Sequence, residues 1–323
     1  MKWYWTKTAV IKIMVLLNGL LLSTVAFSAS SPSISLLNQM RQATLSLNYE
    51  LSFITITRGN IESLRYRHAI INDQTYAQLL QMDGASREVL MRGSEISYFF
   101  EQGIEPFSIT GDYIVDAVPP VAFADFPRLE SYYDFVLLGR GRVANRLCQV
   151  IRVSAKDGSR NSYSVCIDDK TKLPLQIELL DRNNEILEQF RVISFIVSDE
   201  VKNSIAGLAN FQLPPLLPQA QNEPLSFYWK TSWLPEGFKE VSNSYRKLTN
   251  ISAQVQTRLF SDGLFSFSVN IIPVEQENTA QYLHEGRRSI YTEVRAGHEI
   301  VVVGEIPQNT AKRIANGIVF GED

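Results

Sequence analysis

LLGRGRVANRLCQVIRVSAKDGSRNSYSVCID, residues Leu137 to Asp168, poses the choice on which the fold turns. Gly139-Arg140-Gly141-Arg142 has the look of a phosphate-binding loop, and Cys148 with Cys166 could serve redox chemistry. A phosphate cradle needs a helix opening directly after the glycines. Arg146 to Ala155 is instead rich in β-branched residues in a strand pattern, so the stretch reads as sheet, with GRGR as a turn between antiparallel strands. The cysteines are too far apart for a CxxC motif, and no histidine pair completes a zinc set. They flank the turn Lys156-Asp157-Gly158. A three-residue loop centred on Asp157 sets Ile151 opposite Tyr163 and puts the cysteines directly across from each other on one face. A two-residue loop at Asp157-Gly158 turns them to opposite faces. In an oxidising compartment a disulfide and two buried thiols are both open.

Working outward, the same strand rhythm continues on both sides. Upstream, Leu36, Leu37, Met40, Ala43, Thr44 and Leu47 recur at three- and four-residue steps and predict a helix from about Ser35 to Ser46. Strands follow at Tyr49 to Thr57, Ile61 to Ala69, Tyr76 to Met82, Glu88 to Arg92 and Glu95 to Phe100, separated by hairpin-length turns that predict antiparallel pairing. Asp116 to Tyr133 breaks the rhythm with short apolar helical or irregular pieces. Downstream, Leu175 to Leu180 and Glu185 to Val197 are again strands. ANFQLPPLLPQAQNEP, residues 209–224, carries four prolines and reads as a linker between domains. Beyond it, Arg258 to Asn270 predicts a hairpin about Ser261-Asp262-Gly263, Ile300 to Val303 a buried strand, and Asn309 to Ile318 a closing helix. The expected domains are residues 29–208 and 225–323.

Composition narrows the function. The 323 residues are 45% hydrophobic and 20% charged, ordinary for globular protein. Lys2, Lys7 and Lys12 precede the apolar run Ile13 to Phe27, which predicts a signal peptide over residues 1–28 with cleavage near Ala29. Losing those three lysines takes the formal charge from −3 to −6, which argues against nucleic acid as the partner. His68, His284 and His298 are scattered, read as surface or capping residues, and no serine sits in a GxSxG context. The chain is therefore read as a non-enzyme without metal or cofactor. Two features suggest binding. Phe53, Ile54, Phe99, Phe107, Phe123, Phe126 and Tyr132 belong to an aromatic and aliphatic supply large enough to line a concave sheet, although filling a core would use the same residues. Arg287 and Arg288 beside Tyr282 and Tyr291 match the mixture favoured at interfaces, a solvated face being the plainer account.

Longer runs then carry a resemblance. LNYELSFITI, ESLRYRHA, AQLLQMDG, GSEISYF, GDYIVD, RLCQVIRV, KLPLQIELLDR and EQFRVI, followed by WLPEGF, RLFSDGLFSFSVN and VVGEIPQNTAKRIA, resemble the RseB/MucB family over almost the whole mature chain. The resemblance implies an α+β protein. Its large N-terminal domain would be an unclosed antiparallel half-barrel wrapped on helices, as in LolA and LolB, and its smaller C-terminal domain mostly β with a closing helix. It also implies a periplasmic negative regulator of sigma-E that binds the anti-sigma factor RseA, shields it from proteolysis and releases it on sensing a lipid or lipopolysaccharide-like ligand. The competing reading is a LolA-type lipid or lipoprotein carrier. A homodimer is left open.

Overall fold

The computed structural model describes residues 31–101, 103–218, 227–247, 254–274, 280–285 and 287–321. The signal segment, the cleavage position near Ala29 and linker residues 219–224 lie outside the described residues. Helix α1 (Pro32–Ser46) leads into β1 (Tyr49–Thr57), β2 (Asn60–Ile71), β3 (Gln74–Gln81), β4 (Arg87–Arg92), β5 (Glu95–Phe100) and β6 (Phe107–Thr110). A 3-10 turn at Pro120–Phe123 and the single-turn α2 (Phe126–Leu129) interrupt the strands. Then come β7 (Tyr133–Val143), β8 (Arg146–Ala155), β9 (Ser162–Asp168), β10 (Pro174–Leu180) and β11 (Ile186–Val197). These eleven strands form one antiparallel sheet in the order β6-β5-β4-β3-β2-β1-β11-β10-β9-β8-β7. Its ends, β6 and β7, do not pair with each other, so the sheet is unclosed.

Alternation along each strand sorts the two faces. Tyr49, Leu51 and Phe53 of β1 are buried on the inner face, and their paired neighbours Leu64, Tyr66 and Val192 belong to the same core. The row continues through Leu79 and Val89 on one side and Phe190, Ile177, Val165 and Ile151 on the other. Leu37 and Met40 of α1, with Ile114, Val118, Val121 and Phe126, join this core. The outer face carries a polar ladder instead. Arg67 Nε donates to Glu50 Oε2 at 2.6 Å and its Nη1 to Gln78 Oε1 at 3.0 Å, while Gln78 Nε2 donates to Glu88 Oε1 at 2.6 Å.

After α3 (Val201–Ile205) and a 3-10 turn at Ala206–Asn210, the chain runs along the outside of β5 and β6. Ser108 N donates to Pro215 O at 3.0 Å, Leu217 N to Ser108 O at 2.8 Å, and Phe211 meets Phe99 edge-on at 5.8 Å. The described part of the proline-rich stretch is therefore fastened to the large sheet. The rest forms β12 (Trp229–Thr231), β13 (Lys239–Lys247), β14 (Gln254–Ser261), β15 (Ser266–Pro273), β16 (Gln281–Glu285), β17 (Arg288–Arg295), β18 (His298–Gly304), α4 (Gln308–Asn316) and β19 (Ile318–Phe320). Six strands make a second sheet, β13-β14-β15-β18-β17-β16, and β12 pairs with β19. Ala311, Ile314 and Ala315 of α4 are buried, in keeping with a closing helix. Residues Ser33–Asp323 form one compact unit.

Three sequence expectations are corrected. GRGR is not a turn: it lies inside β7, which bulges between Leu137 and Gly139, and the reversal falls on Ala144-Asn145 at φ 48° and 59°. Two consecutive residues with positive φ suit the twist of a two-residue hairpin, and an asparagine tolerates that region. The β8–β9 register also differs from the one expected. Ile151 faces Val165 and Val153 faces Tyr163, so Cys148 lies opposite Asp168 and diagonal to Cys166. A shift of two residues keeps the face. The cysteines are disulfide-bonded with Cα atoms 5.5 Å apart, and Gly141, whose Cβ would sit 3.3 Å from the Cys148 sulfur, leaves them room. Finally, His68 is buried rather than exposed, its ring 5.2 Å from Tyr49 and its Nδ1 2.8 Å from Leu47 O, and His284 belongs to β16.

Candidate functional site: the seam between the two sheets

The site grows from the loop between β8 and β9, residues 156–161. Asp157 Oδ1 accepts hydrogen bonds from Ser159 N at 2.9 Å and Ser159 Oγ at 2.7 Å, a side-chain turn that tightens the loop. That turn aims Arg160 away from its own sheet. Its guanidinium is fully buried, with Nε donating to Asp262 Oδ2 at 2.7 Å, Nη1 to Asp157 Oδ1 at 2.9 Å and Nη2 to the carbonyl of Glu236. The Phe238 and Tyr133 rings flank it with centroids at 4.8 and 5.3 Å. Asp262 belongs to the β14–β15 turn and is itself saturated. Its Oδ2 also accepts from Tyr133 OH at 2.5 Å, and its Oδ1 accepts from Leu264 N and Phe265 N, each at 2.8 Å. Thr310 Oγ1 of α4 closes the contact on Ser159 O at 2.7 Å. A buried charge pair is tolerable only when its remaining donors and acceptors are met this completely. Burial and the Asp262 charge push the Tyr133 hydroxyl pKa far up, so it remains a donor.

Aromatic packing extends this pole. Tyr163 of β9 stacks on Phe265 with centroids 5.3 Å apart, and Tyr132 lies under Gly237, where a Cβ would come within 2.8 Å of the ring. Gly237 also has φ +84°, so the position excludes other residues on two counts.

A second pole sits where residues of the large sheet meet the β16–β17 hairpin. Arg287 Nε pairs with Glu305 Oε1 at 3.0 Å, both side chains largely buried. Glu188 of β11 faces them from the large sheet. Burial raises the pKa of Glu305 and of Glu188, and Arg287 only partly offsets it. Burial opposes the charge of Arg287 too, but Glu305 and Glu188 outweigh it and its pKa is raised. Around this pole lies a cavity of about 260 Å³ lined by residues of both sheets, among them Arg87, Asp116, Glu188, Arg287 and Arg288.

Of the residues expected to form a ligand groove, Phe53 and Phe126 are buried in the core with Phe123 and Tyr132 packed against it, while Ile54, Phe99 and Phe107 lie outside that cluster. Phe53 is core, 4.7 Å from Phe190, whereas Ile54 projects to the other face because successive strand residues alternate. Phe99 packs on Phe211 outside the sheet, Phe107 stacks on Tyr98 at 5.2 Å and Phe123 on Tyr113 at 4.1 Å. Phe126 is core against Phe135, and Tyr132 belongs to the seam. The expected partner surface is divided as well. Tyr291 is buried with its hydroxyl donating to Glu293 at 2.9 Å, Tyr282 pairs across from it on β16, and Arg287 is held by Glu305. Of the four, Arg288 is the one left exposed. Sequence reasoning missed Arg160, Asp262, Tyr133, Glu188 and Glu305. The first two stand in turns, where arginine and aspartate are unremarkable, and nothing local signals a pairing across 102 residues. No group of His, Cys, Asp and Glu among the described residues is arranged to hold a metal.

Comparison with known proteins supplies the lineage. The MucB/RseB N-terminal domain family model matches residues 32–214 and the MucB/RseB C-terminal domain model residues 223–319. The chain belongs to the MucB/RseB family. It is 53% identical over 309 residues to the sigma-E factor regulatory protein RseB of Escherichia coli K12, covering 95% of this chain and 97% of that one. It is 27% identical over 313 residues to the sigma factor AlgU regulatory protein MucB of Pseudomonas aeruginosa, covering 94% and 96%. Among solved structures, MucB in complex with MucA(peri) superposes with a TM-score of 0.69 at 24% identity, covering 90% of this chain and all of that one. That likeness shows a shared fold.

Proposed function

We propose that this MucB/RseB family member is a periplasmic negative regulator of sigma-E. In this reading it binds the anti-sigma factor RseA, shields it from regulated proteolysis and releases it when a lipid-bearing stress signal is sensed. The observation that carries the reading is 53% identity, end to end, with a protein named for sigma-E regulation. A relative of the same fold crystallised with MucA(peri) supports an anti-sigma factor as the partner. Export to the periplasm rests on the basic and apolar N-terminus, and no helix among the described residues is long and apolar enough to cross a membrane.

The lipid step has a physical requirement. α1 and residues 114–129 supply core side chains to the inner face of the half-barrel, so an acyl chain must displace packed residues to enter. Such displacement shifts binding only if the lipid favours the RseA-free conformation over the bound one. The carrier reading calls for a standing acyl groove, and the burial of Phe53 and Phe126 in the core supports the regulator over it. Calorimetry of the mature chain against the periplasmic segment of RseA, with and without lipopolysaccharide, tests the proposal. Tight binding that weakens with the lipid is expected. Absence of RseA binding would overturn it.

A further inference from the structure

The cavity at the second pole has unequal charge pairing. Arg87 Nη1 is matched by Asp116 at 3.3 Å, and Arg287 by Glu305 at 3.0 Å. Three charges lining the same cavity have no ion pair within contact distance among the described residues: the Glu62 and Glu188 carboxylates on the large sheet and the Arg288 guanidinium on the small one. Glu188 is half-buried and accepts no hydrogen bond there, although burial already disfavours its charge. Arg87 Nε is buried without a partner on the same cavity. Arg287 and Arg288 offset the burial of Glu188 only in part, and a half-buried charge so incompletely met is costly and is rarely kept without something to meet it. Glu188 and Arg288 have opposite sign and stand on different sheets.

We infer that this cavity is a binding site for a zwitterion carrying a primary ammonium and a phosphate, the chemistry of phosphoethanolamine, with Glu188 receiving the ammonium and Arg288 the phosphate. Ammonium fits a wall presenting the Glu188 and Glu62 carboxylates, neither held in an ion pair within contact distance among the described residues. Phosphate fits a wall presenting Arg288 beside Arg87 and Arg287, since guanidinium forks match phosphate oxygens in pairs. A cavity of about 260 Å³ admits a head group of this size and excludes a whole lipid, whose chains would remain outside. The ligand would bridge the two sheets by its two ends. The inference concerns small-molecule binding alone and does not depend on RseA being the partner.

The source of the head group, free or lipid-borne, is separable by experiment. Phosphoethanolamine is titrated into the mature protein by calorimetry, with ethanolamine and inorganic phosphate as half-ligands and lysophosphatidylethanolamine micelles as the lipid form. Phosphoethanolamine is expected to bind at least about tenfold more tightly than either half. Glu188→Gln and Arg288→Gln, each checked by melting curve, are each expected to weaken it by about tenfold or more. Equal affinity for the free and micellar forms supports a soluble zwitterion. Tighter micellar binding that both variants abolish supports a lipid head group. Failure of both forms to bind, or binding indifferent to both substitutions, overturns the inference.

Discussion

Arg160 is the most demanding side chain in the molecule: a cation with no exposed surface, facing Asp262 from another sheet. Removing one member of such a pair strands the other in the interior, so Asp262→Ala is expected to cost about 3–5 kcal/mol in urea unfolding. The double variant Arg160→Met/Asp262→Ala should recover a large part of that loss, because no charge is then left alone. Additive losses in the pair would contradict the account. Glu188 makes the opposite case. Its folded pKa is raised by burial above the unfolded value, so its favourable contribution belongs to the protonated form. That contribution is full below the unfolded pKa and is lost as pH rises through the folded one. Glu188→Gln should therefore be more stable than the native chain at neutral pH, with the gap closing as pH falls towards about 4. A gap that persists in acid would exclude titration of Glu188 as the cause. None of these residues was legible beforehand, because a turn arginine and a strand glutamate look the same whether they meet solvent or another sheet.

At the scale of elements the sequence was far more informative. β1 and β5 occur with the boundaries their alternation predicts, and the closing helix differs by a residue or two at its ends. The hairpin of β8 and β9 shows where local pattern stops working. Its turn takes six residues, 156–161, because Ser159, Arg160 and Asn161 are buried away from their own sheet, and the register moves by two. That the large sheet stays unclosed was legible only through the family resemblance, since alternation reports which face is apolar and not which strands end a sheet. The disulfide across this hairpin joins positions 18 apart, and a loop near that size stabilises by about 3 kcal/mol in the chain-entropy picture. Cys148→Ala/Cys166→Ala is expected to lower unfolding free energy by that order. A native-like denaturation midpoint in the double variant would show that Val143, Leu175 and their neighbours hold the hairpin unaided.

For the whole molecule, the seam determines what the two sheets can do relative to each other. A proline-rich connection suggests free reorientation, yet Arg160, Tyr163 and Thr310 hold large and small sheets together by buried contacts. Small-angle scattering of Asp262→Ala is expected to show a larger radius of gyration than the native chain, and a matching profile would mean that the second pole suffices. Arg287 and Arg288 should likewise separate. Arg287→Ala should lower the melting temperature through loss of Glu305, whereas Arg288→Ala should leave it unchanged and, if it lies at the rim of an RseA interface, weaken that complex by under about 1 kcal/mol. The run of chain over β6 bears on how copies of the protein behave towards one another. A bare terminal strand is a template for any other extended chain, and here Leu216 occupies that template beside Ser108 from within the same molecule. The opposite end, β7, has no such cover among the described residues but is bent by its bulge and carries exposed Arg140 and Arg142, which repel a second copy. Covering one end and charging the other keeps a long sheet from growing into a fibre in a crowded compartment.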